Sequence, residues 1–208
     1  MNFEELLASA PDDHPPITDA DKQAALAARQ ARVLSCEDGW YPKSLYDVQN
    51  RPLQGEKWHL AYQDALAIVR KGGIVILHGD RGPGKTRMAA EIAVKLGQGT
   101  YRTAMGFFTD VRASFKPKSQ LDERDVIWSL TAPRLLVLDE IQVRGGTKFE
   151  DNLLTHLIDS RYASIRPTIL IANLTRDQLA ESLGASIVDR VAENGVLIHC
   201  DWGSFRGI

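Results

Sequence analysis

Ile74-Val75-Ile76-Leu77, followed almost at once by Gly79-Asp80-Arg81-Gly82-Pro83-Gly84-Lys85-Thr86, decides the fold of this chain. The apolar run is a buried strand, and the glycine-rich run after it is a phosphate-binding loop. Met88, Ile92 and Leu96 then recur at the spacing of one helix face, so the loop joins a strand to a helix. Each residue type answers a need of a polyphosphate. Glycines let backbone N–H groups curl around the phosphates, Lys85 reaches the terminal oxygens, and the Thr86 hydroxyl is a Mg²⁺ ligand. The helix N-terminus adds a favourable dipole. The nucleotide-contacting residues are therefore expected to be Gly79, Asp80, Arg81, Gly82, Pro83, Gly84, Lys85, Thr86 and Arg87.

Downstream of Gly73 strand and helix patterns alternate, the mark of a parallel sheet covered on both faces. Strands are expected near Thr100 to Ala104, Leu135 to Leu138, Thr168 to Ala172 and Val196 to His199. With the strand before the loop they make a five-stranded parallel sheet in a three-layer α/β/α domain. Helices are expected near Thr109 to Phe115 and Leu121 to Leu130. Another buries Phe149, Leu153, Leu154, Leu157 and Ile158, and two short ones follow, one capped by Thr175 and one over Ala185 to Ala192. Upstream, Glu56 to Lys71 reads as a helix with Leu60, Ala61, Ala65, Ile68 and Val69 on its apolar stripe.

Leu135-Leu136-Val137-Leu138-Asp139-Glu140 is a buried parallel strand ending in two carboxylates. Ligands in open parallel sheets bind beyond the C-terminal ends of strands, so both acids should stand beside the phosphate loop. Asp139 would hold Mg²⁺, mostly through water, and Glu140 would orient and polarise the attacking water. The next strand ends in Asn173, an amide that can hold the nucleophilic water or touch the γ-phosphate, or simply begin the turn before Thr175. Phosphoryl transfer also needs a cation on the developing oxyanions, commonly an arginine from a neighbouring subunit. Arg190 and Arg161 are candidates; either can instead be a surface cation near a helix C-terminus.

A chain of 208 residues, 44% hydrophobic and 25% charged, accommodates one α/β domain with an extension. The net charge of −2 offers no global attraction to nucleic acid or an anionic membrane, so any DNA contact must be a local patch. Cys36 and Cys200 lack partners at zinc spacing and are expected to be reduced thiols. The acidic start Met1-Asn2-Phe3-Glu4-Glu5 has no export pattern and no stretch approaches a membrane span, so a cytoplasmic location is expected. Residues 1–40 form an arm with a helix starting at Thr18, a candidate partner-binding segment, and residues 41–208 form the nucleotide-binding domain.

Taken together, the phosphate loop, Leu136-Val137-Leu138-Asp139-Glu140, Ile158-Asp159-Ser160-Arg161-Tyr162, Asn173-Leu174, and Asp189-Arg190 with the tail Gly203-Ser204-Phe205-Arg206 resemble one family. It is that of the bacterial helicase loaders and the related transposition ATP-binding proteins, AAA+ ATPases of the DnaC and IstB type. The resemblance covers roughly Tyr41 to Arg206, with Tyr41 to Val48 similar to the family's opening segment near the adenine. It implies an AAA+ domain without the helical lid, ATP and Mg²⁺ as ligands, weak ATP hydrolysis outside an assembly, and a role in DNA replication. It also implies a homo-oligomer acting on a replicative helicase or, in the transposition branch, a recombinase. By the resemblance Lys85 and Thr86 hold the triphosphate and metal, Asp139 and Glu140 serve metal and water, Asn173 is the first sensor and Arg190 the trans-acting finger.

Direct contact with single-stranded DNA has two candidate patches. One is Arg112, Lys116 and Lys118 with Phe107, Phe108 and Phe115; the other is Arg144 and Lys148 after Glu140. Two other functions share the loop: a small-molecule kinase, and a switch that binds ATP with little turnover. GTP is disfavoured, since no Asn-Lys-x-Asp motif is present.

Overall fold

The computed structural model describes residues 18–20, 55–97, 99–117, 119–120 and 122–205. The arm, most of the helix expected from Thr18, the opening segment Tyr41 to Val48, Lys118 and Arg206 lie outside the described residues. Helix α1 (Glu56–Arg70) leads into β1 (Ile74–His78), α2 (Lys85–Leu96), β2 (Thr100–Thr103), α3 (Ala104–Ser114), α4 (Glu123–Thr131) and β3 (Leu136–Asp139). Then come α5 (Lys148–Ala163), β4 (Thr168–Ile171), α6 (Arg176–Asn194) and β5 (Gly195–His199).

All strands are parallel, in the order β2-β3-β4-β1-β5. β1 lies between β4 and β5, pairing Ile74 with Thr168 on one side and His78 with His199 on the other. A strand in that position is covered on both faces, which is why Ile74 to Leu77 is continuously apolar instead of alternating. Val75 and Leu77 pack with Trp58, Ala65, Met88 and Ile92 of α1 and α2. Ile74 and Ile76 face the other layer, with Phe107, Leu154, Ile158 and Ile187 from α3, α5 and α6. The chain leaves β1 for the far edge of the sheet and returns toward it through β2, β3 and β4. A crevice opens where the order reverses, at the C-terminal end of β1.

Several helix ends follow local chemistry. α2 stops at Gly97, a left-handed C-cap with φ 70° that few other residues adopt cheaply. α5 and α6 each open with a capping box, Thr147 with Glu150 and Thr175 with Gln178. The two short helices expected after Thr175 are one element bent at Gly184, whose φ of 74° interrupts the helical backbone. Helix α3 starts at Ala104, earlier than expected, because the Thr103 hydroxyl caps it by accepting from Gly106 N–H.

Two apolar stripes differ from expectation. In α1 the buried anchor is Trp58, 1% exposed, whereas Leu60 points outward at 54%. In α5 Leu153, Leu154, Leu157 and Ile158 are buried, but Phe149 in the first turn is exposed. In both cases the helix rotates its largest usable surface onto the sheet and leaves a residue one step round the helix in solvent.

Arg161 holds the lower part of the sheet together. Its guanidinium is fully buried and donates to the carbonyls of Leu130, Thr131, Pro133 and Pro167 and to the Thr168 hydroxyl, at 2.7–3.2 Å. Burial and the nearby Arg166 lower its pKa to about 9, which leaves it charged at neutral pH. Its donors are committed to these buried acceptors, so Arg161 is neither a surface cation nor free to reach a bound nucleotide.

Candidate nucleotide site

The loop after β1 needs glycine at specific places. Gly82 and Gly84 have φ of 108° and 84°, a region that penalises any Cβ. Both are also closely covered: a Cβ on Gly82 would collide with the Ser204 hydroxyl, and one on Gly84 would stand 3.1 Å from the Phe205 ring. The loop then feeds α2, whose first residue is Lys85. The Lys85 ammonium is 5% exposed and donates to the carbonyls of Gly79 at 2.8 Å and Asp80 at 2.5 Å. It is thus held folded over the loop, beside the space the loop encloses.

The structure brings Thr86 and Asp139 together across 53 positions of sequence. The Thr86 hydroxyl donates to Asp139 Oδ2 at 2.7 Å, Tyr101 O–H donates to the same oxygen at 3.0 Å, and Glu140 N–H donates to Oδ1 at 2.7 Å. Tyr101 was not singled out in the sequence; its signal is only that β2 pairs with β3 and ends level with Asp139. Glu140 has φ 55°, an uncommon backbone for a residue with a side chain. Such outliers concentrate at functional sites. The Ile141 N–H then bonds the Ile171 carbonyl at 3.1 Å, which holds the chain after Glu140 beside the end of β4.

Oxygen donors from one hydroxyl and one carboxylate fit Mg²⁺, which keeps several waters and takes its remaining ligands from phosphates. Among the described residues no cluster of three or more His, Cys, Asp or Glu could hold a metal by itself. A metal here would depend on bound phosphate.

Asn173 follows β4 and lies beside the loop: its N–H donates to Gln142 Oε1 at 3.1 Å, and it lines a cavity of about 510 Å³ with His78, Gly79, Asp80, Arg176 and His199. His78 was missed in the sequence, although it is the one polar residue in β1. Its ring is buried, stacks on His199 at 4.9 Å, and bonds through Nδ1 to the Leu174 carbonyl. Burial lowers its pKa, and the neighbouring His199, Lys85 and Arg176 lower it further against the raising effect of the Leu174 bond.

The chain after β5 is a second feature that patterning did not reveal. Trp202 Nε1 donates to the Pro83 carbonyl at 2.7 Å, and Phe205 N–H donates to the Gly82 carbonyl at 3.0 Å. This tail therefore grips the outside of the phosphate loop. Cys200, at its start, is buried, and burial pushes its thiol up to about 12, so it is an inert packing residue.

Arg190 is apart from the loop. It lies 14 residues into α6, beyond the bend at Gly184, while the first turn of that helix borders the loop's cavity. Its guanidinium donates to Asp159 at 2.9 Å and lies 5.2 Å from the Tyr162 ring centre, with about a third of the side chain exposed. Of the candidate DNA residues, Phe107 and Phe108 are core, each 1% exposed. Arg144 is also removed from that role: it pairs with Asp151 at 3.2 Å and donates to the Ser182 carbonyl, with 8% of its side chain exposed.

The sequence model of the IstB-like ATP binding protein family matches residues 47–206. The chain belongs to this family. It is 28% identical over 135 residues to the replicative helicase loader DnaC of Escherichia coli K12, an alignment covering 63% of this chain and 55% of that protein. The chain thus matches about half the length of that relative. Among solved structures it is similar to the DnaC helicase loader, with a TM-score of 0.64 and 17% identity over 76% of this chain and 99% of that one. It is likewise similar to AMPPCP-bound DnaA from Aquifex aeolicus, with a TM-score of 0.63 and 24% identity over 78% of this chain and 51% of that one. The fold is accordingly that of the AAA+ proteins DnaA and DnaC. The phosphate loop of an ATP-binding family is thus the loop at the end of β1.

Proposed function

We propose that this protein binds ATP with Mg²⁺ and hydrolyses it at a site completed by Arg190 of a neighbouring copy. The nucleotide state would control its action on a DNA-bound protein in the cytoplasm, in the manner of a helicase loader. The observation that carries the ATPase reading is the Thr86 hydroxyl on the Asp139 carboxylate at 2.7 Å, beside a Lys85 poised over the loop. Metal ligands and phosphate ligand are preassembled, which lowers the reorganisation needed when nucleotide arrives. In this reading Lys85 swings from the loop carbonyls onto the β- and γ-phosphates, Asp139 and Thr86 hold Mg²⁺, Glu140 orients the water and Asn173 touches the γ-phosphate. Gly79, Asp80, Arg81, Gly82, Pro83, Gly84 and Arg87 complete the nucleotide contact.

Arg190 supports the oligomeric part of the reading, because its place on α6 keeps it from its own loop. The expected behaviour is a specific ATPase rate that climbs with protein concentration. Arg190→Ala should keep ATP binding and lose turnover, and a dilute monomer with full activity would refute the finger assignment. Glu140→Gln should bind ATP without hydrolysing it, whereas Lys85→Ala should weaken binding itself. Capture of partners by the ATP-trapped Glu140→Gln protein, with the bound protein identified, separates a replicative helicase from a transposition recombinase. The second outcome would favour the IstB side of the family description.

Single-stranded DNA contact is proposed at a surface that merges the two sequence patches. Phe115 and Phe149, both exposed, meet edge to face at 6.0 Å; Lys116 and Lys148 are their neighbours in sequence, and Arg112, half exposed, pairs with Glu150 at 2.8 Å. Stacking is worth about 1–3 kcal/mol per base, so Phe115→Ala should weaken oligo-dT binding by about fivefold or more in a fluorescence anisotropy titration. Equal binding by wild type and variant would remove this surface.

A further inference from the structure

The cavity beside the phosphate loop has a use that the ATP contacts leave open. It is bounded by the ends of β1 and β5, by Asn173 to Thr175, and by the first turn of α6. At its inner end is His78, 3% exposed, whose Nδ1 is taken by the Leu174 carbonyl. Nε2 of the same ring has no hydrogen-bond partner among the described residues, yet it is not sealed off from the cavity. With a proton on Nδ1, a neutral His78 presents a bare lone pair at Nε2. Such a ring accepts a hydrogen bond from a ligand that carries a proton.

The rest of the lining favours an anion. The α6 capping box uses the Gln178 and Thr175 N–H groups, leaving those of Arg176 and Asp177 unbonded in the first turn. The Arg176 side chain is exposed at the mouth and makes no ion pair among the described residues. Lys85 adds positive charge near His78, opposed by Asp80 in the lining and by Asp177 in the first turn of α6. A protonated oxyanion matches all of these groups at once: P–OH to His78 Nε2, and phosphate oxygens to Arg176 and the helix end.

We propose that this cavity holds the inorganic phosphate released by hydrolysis, as a product site that opens from the γ-phosphate end of the loop. The inference rests on the ATPase reading above. Its position suits the task, since Gly79, Asp80 and Asn173 border both spaces. Phosphate leaving the γ position passes Asn173 into the cavity before reaching solvent, while ADP stays in the loop.

The test uses the full chain loaded with ADP and Mg²⁺, with labelled inorganic phosphate in equilibrium dialysis and ADP binding followed separately. Phosphate should bind, and Arg176→Ala, at an exposed position, should weaken it about tenfold while leaving ADP affinity unchanged. Sulfate, which has no proton to give His78 at neutral pH, should compete at least about tenfold less well than phosphate. Affinity should fall as pH rises and phosphate loses its second proton; the charged or titratable groups around it are His78, His199, Arg176 and Asp80 in the lining, with Lys85 and Asp177 beside it. Asp80→Asn should tighten binding. Phosphate binding that ignores Arg176→Ala, or sulfate competing as well as phosphate, would assign the anion to the loop itself and overturn the proposal. Failure of ADP to bind would overturn the ATPase reading and this inference with it, whereas ADP binding without phosphate binding overturns this inference alone.

Discussion

Two arginines of the same layer, Arg161 on α5 and Arg190 on α6, have opposite surroundings. Arg161 is sealed from solvent and donates to four carbonyls and one hydroxyl, with no carboxylate partner among the described residues. Arg190 is about a third exposed, with one carboxylate and one aromatic face. The difference teaches how to separate a cation that builds the fold from one that can act elsewhere. A guanidinium whose donors are all committed to buried acceptors cannot leave without taking a partner from each of them. One with a single rim contact can be recruited at little cost.

The comparison breaks first at Arg161. Arg161→Ala should lower unfolding free energy by about 3–5 kcal/mol, since it strands several buried acceptors and leaves a cavity. Urea denaturation gives the value, and a loss below about 1 kcal/mol would mean that the carbonyls find water instead. Arg190→Ala should change stability by no more than about 1 kcal/mol, yet reduce assembled ATP turnover by about a thousandfold. Loss of stability on the Arg161 scale would make Arg190 a second staple and end the distinction. Asp159→Ala sharpens the same contrast: it releases Arg190 from the carboxylate it pairs with, and turnover should persist within about threefold because the finger acts away from that pair.

The smallest effect expected is a pH response from His78. Its folded pKa lies below the ordinary 6.5, so the unfolded chain takes up a proton that the folded protein refuses. Stability contributed by this group is present above 6.5 and declines as pH falls from there toward the lowered value. His78→Gln should flatten that slope in chemical denaturation measured between about pH 7.5 and about pH 5.5, roughly a unit either side of the ordinary histidine value. An unchanged slope would place the titration elsewhere.

The regular elements were legible because their causes are local. Continuous burial of β1 dictates Ile74 to Leu77, and phosphate geometry dictates Gly82, Gly84, Lys85 and Thr86. Asp139 and Glu140 could be read because a parallel sheet delivers the ends of its strands to one edge. What could not be read was rotation and long-range approach. Leu60 and Phe149 satisfy a helical stripe as well as Trp58 and Leu153 do, and only the packed sheet selects between them. Phe107 and Phe108 look like a stacking surface beside Arg112 until α3 folds them into the core.

By itself the sequence determined a phosphate-binding loop between strand and helix, a parallel α/β sheet and the acids at its edge, since each follows from spacing and residue type. The tertiary structure alone decided that Arg161 is a staple and that Tyr101 steadies Asp139. It also decided that the tail through Trp202 and Phe205 clasps the loop, and that His78 faces a cavity with Arg176. Those pairings span tens of residues or more, and no local preference encodes them; they exist only once the sheet has set which ends meet.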